Sequence, residues 1–422
     1  MKKYLAIALA LVIALSLVAC SAPAGQPAAP AAPADPAQPA QPADPAAPAA
    51  DASAIKIGVI LVHDENSGYD YAHIEGVKAA QAALGIPDSQ VIFKYNIPED
   101  ETCFDTAIDL AQQGCTIVFS DSYGHQSYMM QAAVEEPDVT FVACTGDTAA
   151  FEPVDNVANV FPYTFESRYV SGVVAGLKLK ELLDAGTATD PYVGYVGAYP
   201  YAEVVSGYTA FFLGIQSIVP EAHMDVQYTN SWYDPTAEAE AANALIARGC
   251  VIIGQHADST GAPSAVQAQL DAGKVAYSVG YNIDMQSAAP TAALTSAQNN
   301  WAVLYTATLA KALNGEAIPK DYAAGYSDDA VMISALGASV AAGTAEKVAE
   351  VEAAIKAGTL NVFDTSTYTV GGETVTTFLA LDTDGDWVGD TGEAISDGIF
   401  HESTLRSAPY FGLRIDGITE LN

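Results

Sequence analysis

The chain has 422 residues, half of them hydrophobic, with 16 Lys+Arg against 51 Asp+Glu and a formal net charge of −35. That length suits two or three domains, and the hydrophobic fraction excludes a wholly disordered chain. The acidity excludes a nucleic-acid binder, because such a surface repels phosphate backbones, and leaves a lipid or a helix as the route to an anionic membrane.

In chain order, residues 1–19 read as a signal peptide. Lys2 and Lys3 form a short basic region, and Leu5 to Val18 are apolar apart from Ser16. That run is too short for a comfortable membrane span and suits the apolar core of a signal. Leu17-Val18-Ala19-Cys20 resembles a bacterial lipobox, which implies cleavage before Cys20 and lipidation of its thiol. An ordinary secretory signal is the alternative. Residues 20–54 then form the lipidated end and a tether. Nine prolines fall among alanines here, and proline excludes both helix and sheet ladder. An extended polyproline II tether of this length reaches on the order of 100 Å. The folded part is therefore expected on the extracytoplasmic face of a cell membrane, anchored by lipid.

Ile55 to Val62 is a β-branched apolar run, followed by helical periodicity over Ala72 to Leu84. Short apolar runs at 91–95, 115–120 and 139–144 alternate with helical stretches near 105–113 and 125–135. A long helical stretch, 165–183, leads out of this half, and the pattern restarts. Strands are expected at 192–197, 224–228, 250–255 and 275–280, with helices near 203–218, 235–248 and 262–272. Alternation of this kind predicts α/β halves, each a parallel sheet with helices on both faces. Gln113-Gly114-Cys115 and Arg248-Gly249-Cys250 share a helix-ending Gly followed by a buried strand. The boundaries expected are 55–185 for a first lobe, 186–298 for a second, and 299–422 for a return crossover to the first lobe plus a C-terminal hairpin region. Cys103, Cys115, Cys144 and Cys250 are read as buried free thiols.

Ligands of open parallel sheets bind outside the carboxyl ends of the strands. The loops at those ends hold Tyr69, His73, Ser122, Tyr123, Tyr199, Trp232, His256, Asp258, Asn282 and Asp284. Aromatic faces stack on planar rings, while carboxylates and amides fix polar edges, so this set suits a polar heteroaromatic ligand. Structural roles stand beside these. Trp232 can pack under its own loop, Tyr69 can close its helix, and His73 sits inside that helix. Asp258 and Asp284 can cap helices, with Asp284 the stronger ligand candidate because Asn282 lies two residues before it. The sequence contains no nucleophile elbow, Walker A loop or HExxH pair, and no catalytic group, metal or cofactor is expected. Asp382, Asp384, Asp386, Asp390 and Glu393 follow an EF-hand-like spacing, but Trp387 stands where the sharp turn needs Gly. Thr374 to Leu381 reads as strand, so an acidic turn in a hairpin is the preferred reading.

Several segments together resemble the basic membrane protein (BMP) family of ABC-transporter substrate-binding lipoproteins, the purine nucleoside receptor group. They are Gly68-Tyr69-Asp70-Tyr71-Ala72-His73, Arg168-Tyr169-Val170-Ser171-Gly172, Thr229-Asn230-Ser231-Trp232-Tyr233-Asp234-Pro235, Gln255-His256-Ala257-Asp258-Ser259 and Gly280-Tyr281-Asn282-Ile283-Asp284-Met285. Glu135-Glu136-Pro137-Asp138-Val139-Thr140-Phe141 also carries the resemblance. The resemblance implies a two-lobed periplasmic-binding-protein type I fold, a purine base or nucleoside in the cleft, and an ABC permease as membrane partner. Tyr69 falls where the family stacks an aromatic ring on the base. The nucleoside receptors have Asp where this chain has Asn282 and Lys near Asn299, which counts against a ribose clamp. Two alternatives stay open: another small polar solute such as a sugar, or a cell-surface hydrolase using His256, Asp258 or Ser259.

Overall fold

A computed structural model describes Ala52, residues 55–381 and residues 391–422. The signal segment, Cys20, most of the tether and the acidic positions Asp382 to Asp390 lie outside the described residues. Among the described residues, no helix is long and apolar enough to cross a membrane.

The fold is α/β with two parallel sheets. The first has the order β11-β5-β4-β3-β1-β2. Its strands are β1 (Ile57–Ile60), β2 (Val91–Lys94), β3 (Ile117–Ser120), β4 (Thr140–Ala143), β5 (Val157–Pro162) and β11 (Asp321–Ala324). All neighbours run parallel, for example with Ile57 beside both Val91 and Ile117. Helices α1 (Gly68–Leu84) and α8 (Trp301–Asn314) pack together on one face. Helices α2 (Glu101–Gln112) and α3 (Gln126–Glu135) cover the other. The strands read as unbroken apolar runs because both faces are buried.

The second sheet has the order β12-β10-β9-β8-β6-β7-β17. It comprises β6 (Tyr192–Gly197), β7 (His223–Tyr228), β8 (Ile252–Gln255), β9 (Tyr277–Tyr281), β10 (Ala293–Asn299), β12 (Val331–Ile333) and β17 (Ile418–Glu420). Only β12 runs antiparallel to its neighbour. Helices α4 (Thr164–Asp184) and α5 (Ala202–Gln216) cover one face, with α9 (Thr344–Lys356) packed on α4. Helices α6 (Pro235–Arg248) and α7 (Gly261–Asp271) cover the other. Gly249, at φ 112°, ends α6 as the sequence suggests, while α2 ends on Gln113 with Gly114 next, at φ 88°.

The sheets divide the chain differently from the expected boundaries. Helix α4 packs on α5 and β10, so the first crossing falls at 163/164 rather than 185/186. The chain returns at Asn299–Trp301 to supply α8 and β11, then leaves again to supply β12. The region after 330 thus joins the second lobe. The three crossings are bonded side by side: Thr164 Oγ1 donates to Asn299 Oδ1 at 2.8 Å, and the Tyr326 N–H donates to Glu166 Oε2 at 2.6 Å. The expected strand at Thr374 to Leu381 shortens to β13 (Leu379–Leu381), which pairs with β14 (Thr391–Glu393). Glu393 accepts bonds from the Phe378 and Ile395 N–H groups, tying down a carboxylate that the acidic spacing had offered to a cation. The four described cysteines are buried free thiols.

Helices α4 and α5 touch through glycines. A Cβ on Gly172 would fall on the Phe211 carbonyl oxygen, and one on Gly214 on the Tyr169 carbonyl oxygen. Replacing Gly172 with Ala should therefore cost about 2 kcal/mol by overpacking, read as a lower melting temperature. An unchanged melting temperature would refute this account of the α4–α5 contact.

Candidate functional site

Each functional side chain sits where a parallel strand runs out. In the first lobe, β1 leads to Val62 and then to Tyr69 at the start of α1. Strand β3 leads to Asp121, Ser122 and Tyr123, and β4 leads to Thr145. In the second lobe, β6 leads to Glu203 in the first turn of α5, and β7 leads to Trp232. Strand β8 leads to His256 and Asp258, and β9 ends on Tyr281. These eleven residues line one cavity. The lobes meet beside it, where the Gly68 N–H donates to the Asp258 carbonyl oxygen at 3.0 Å. A larger chamber adjoins it and shares Tyr123, Thr145, Glu203 and Trp232.

Six of the ten residues proposed from sequence line the inner cavity: Tyr69, Ser122, Tyr123, Trp232, His256 and Asp258. Tyr69 is held from behind, its hydroxyl donating to the Asp121 carbonyl oxygen at 2.8 Å. The Ser122 hydroxyl is engaged by Glu99. Tyr123 donates to Asp147 Oδ2 at 2.6 Å. The other four lie elsewhere. Tyr199 lines the outer chamber, stacked on Tyr201 at 5.0 Å and edge-on to Trp232 at 5.2 Å. His73 is one helical turn beyond Tyr69 and wholly buried. Its Nδ1 bonds the Tyr305 hydroxyl at 2.8 Å and its ring packs 3.8 Å from Trp301, so it backs Tyr69 rather than reaching the cavity.

Of the three polar residues Asp258, Asn282 and Asp284, all expected at the ligand, only Asp258 lines the inner cavity. Asp284 caps the short 3₁₀ turn Met285–Ser287, accepting from the Gln286 N–H at 2.9 Å, outside the inner cavity. Asp258 is the cavity carboxyl. Asn282, at φ 63°, donates from Nδ2 to Asp258 Oδ1 at 2.8 Å and so orients it. The choice between caps depended on which Asp precedes a helical turn, and two-residue spacing carries no such signal.

Asp121, Glu203 and Tyr281 escaped the sequence reading: Asp121 follows β3, Glu203 lies in the first turn of α5, and Tyr281 is the last residue of β9. Arg168 escaped it too. This α4 residue is 1% exposed, donates from Nη1 to the Gln255 carbonyl oxygen at 2.5 Å, and lies 3.7 Å from the centre of the Tyr281 ring. Its Nε and Nη2 are buried without partners. The signal available was Arg168 directly before the stretch Tyr169 to Leu177, which carries no charge of its own, where a charge is rarely placed without use.

The electrostatics follow from burial. Burial pushes Glu203 up to about 7, opposed by the nearby Arg168 charge. Burial also pushes Asp258 well above the carboxylate range, and the charges of Asp70, Glu238 and Glu203 add to it. Asp121 is raised by burial and then by the charge of Asp70. Burial would raise Asp70 as well, but bonds from His63, Ser67 and Asp121 outweigh it and hold Asp70 below its usual value. Of the two carboxyls, Asp121 therefore keeps the proton and Asp70 carries the charge. Burial, with Arg168 second, pushes His256 well below its usual value, so it is neutral. Its Nε2 lies 3.4 Å from Glu203 Oε1, while Ser259 Oγ accepts the Gly261 N–H at 3.0 Å. No hydrogen bond joins His256 to Ser259, so the residue types of a hydrolytic triad are present without its geometry. Among the described residues, no cluster of His, Cys, Asp or Glu is arranged to hold a metal ion.

Residues 55–365 match the family model "ABC transporter substrate-binding protein PnrA-like", named Bmp. A purine-binding protein of Brucella abortus is 32% identical over 73% of this chain and 83% of its own. A putative ABC transporter glucose-binding protein of Haloferax volcanii is 29% identical over 71% of this chain and 72% of its own. Among solved structures, an ABC transporter solute-binding protein of Conexibacter woesei superposes with a TM-score of 0.59 at 20% identity, covering 73% of this chain and 98% of its own. The last likeness bears on the two-lobed fold alone. With a family model matched over most of the chain and a relative above 30% identity, this chain belongs to the Bmp family of PnrA-like ABC transporter substrate-binding proteins.

Proposed function

We propose that the protein is the solute receptor of an ABC importer, capturing a purine base or nucleoside in the inner cavity and delivering it to a membrane permease. The observation that carries this is the composition of that cavity. Tyr69 and Tyr123 from one lobe and Trp232 and Tyr281 from the other supply ring faces, and Asp121, Glu203 and Asp258 lie among them. A carboxyl that keeps its proton offers one donor and one acceptor, the pattern of a purine's amide-like edge. The Brucella relative supports the same reading by its name. In this reading the lobes hinge about the three crossings and exclude water from the ligand, with no chemistry performed. Lipidation at Cys20 would hold the receptor at the extracytoplasmic surface, with the proline-rich segment as its tether. Loss of membrane association on Cys20→Ala is the check on that part.

A sugar ligand is the second reading, favoured by the Haloferax relative, described as a putative glucose-binding protein. Aromatic faces and carboxylates serve sugars as well. Titration calorimetry of the full-length protein with adenine, guanine, guanosine and glucose separates the two. Saturable heat with a purine and none with glucose is expected, and heat with glucose alone would overturn the purine reading.

Two further outcomes follow from the residues. Trp232→Ala should weaken purine binding about tenfold or more, the scale of one base–aromatic stack. An unchanged affinity would place Trp232 outside the ligand contact. Glu203, pushed up to about 7, accepts a ligand N–H best when ionised. It is protonated below that pH and charged above it, so affinity should rise as pH passes upward through 7. Glu203→Gln should remove that step, and a variant with the wild-type pH profile would exclude Glu203 as its source.

A further inference from the structure

The family match ends at residue 365, yet the chain runs on to 422 and returns to the cleft. This extension rides on the second lobe. Phe400, Tyr410, Phe411 and Ile415 are buried in one apolar cluster with Phe211 and Phe212 of α5. Strand β17 pairs with β7 along Ile418–Glu420. Between these anchors the chain passes the outer chamber, where Arg406, Ala408 and Pro409 form part of the wall.

At that point the extension reaches the first lobe. Arg406 Nη1 donates to Asp147 Oδ2 at 3.0 Å, with the side chains 12% and 8% exposed. The Ser407 N–H donates to Asp321 Oδ2, on edge strand β11, at 2.6 Å. Asp147 does more than pair with Arg406. It accepts the Tyr123 hydroxyl at 2.6 Å and Gln126 Nε2 at 3.0 Å. Tyr123 lines the inner cavity, so a chain of bonds runs from the extension through Asp147 to the ligand cavity.

We propose that the C-terminal extension is a latch on the cleft, with Arg406 as a positioning residue that holds Asp147, and through it Tyr123, against the second lobe. The geometry requires it to act on closure. The extension belongs to one lobe by its apolar packing and bonds the other through polar groups, so separating the lobes breaks the Arg406–Asp147 pair. Opening must break this largely buried, charge-assisted hydrogen bond, which slows it. The inference rests on the reading that the lobes open and close, but not on the identity of the ligand.

The Gly68 N–H, bonded across the cleft to Asp258, reports opening directly. Hydrogen exchange of the ligand-free, full-length protein measures it. Arg406→Gln should speed exchange at Gly68 roughly tenfold, the scale of one charged hydrogen bond, while amides within β3 and β7 keep their wild-type rates. The double variant Arg406→Gln with Asp147→Asn removes the stranded carboxylate and should show the same effect, and Arg406→Lys should restore part of the protection. Unchanged exchange at Gly68 in both Gln-bearing variants would overturn the latch. Acceleration spread equally over β3 and β7 would also overturn it, because Arg406 would then be a general stabiliser. A failed purine titration would sink the ligand assignment and leave this measurement intact.

Discussion

The cost of burying carboxyl groups governs the arrangement of the cleft. Asp121, Glu203 and Asp258 line one cavity, and Asp70 and Glu238 act on it electrostatically from behind, in a chain that already carries a net charge of −35. Ionised together in a low-dielectric space, these groups would repel one another severely. The molecule avoids that in two ways. Protons stay on Asp121 and Asp258, while one cation, Arg168, is buried where it offsets Glu203. Placing Arg168 there depends on α4 lying close enough to α5 to aim it at the ends of β8 and β9. The glycines at the α4–α5 contact supply that approach. A backbone feature of the second lobe thus sets the charge balance of a site shared by both.

The alternating architecture was legible because its signals are local. β-Branched runs marked β1, β3, β6 and β8, and Gly at or just past the helix end marked where α2 and α6 stop. The later strands β10, β11 and β12 and the helices α8 and α9 were not assigned. Strand β11 pairs with β5, far back in the sequence, and a stretch such as Asp321–Ala324 is not strongly apolar in itself. The placement of α4 was misjudged for a related reason. A helix buried along most of its length shows no polar face to say which sheet it joins.

At the site, residue type was more legible than residue role. Tyr69 and His73 lie on the same face of α1, one turn apart, yet one lines the cavity and the other packs beneath it. Asp258 and Asp284 have similar loop settings, and a hydrogen bond from a third residue, Asn282, sets Asp258 in place. Such distinctions arise from depth along the strand axis, which no linear spacing records. Arg168 is the strongest case. Its partners Gln255 and Tyr281 lie 87 and 113 residues away, and only the packed lobe brings them together.

The same charge arrangement limits what the cleft can admit. A phosphate ester brings one to two negative charges, and the walls offer it Glu203, with the charged Asp70 behind. Arg168 is the compensating cation, but its Nη1 is committed to Gln255 and its guanidinium lies against the Tyr281 ring. Lys and Arg total 16 against 51 acidic residues, so no long-range field draws an anion in. Two unit charges 4 Å apart at an effective dielectric of 20 repel by about 4 kcal/mol, enough to cost roughly three orders of magnitude in affinity for each such contact. A neutral heteroaromatic or polyol carries no such penalty and can supply donors to the acidic oxygens. The acidity that excluded nucleic acid at the level of composition therefore acts again inside the cleft, against an anionic solute.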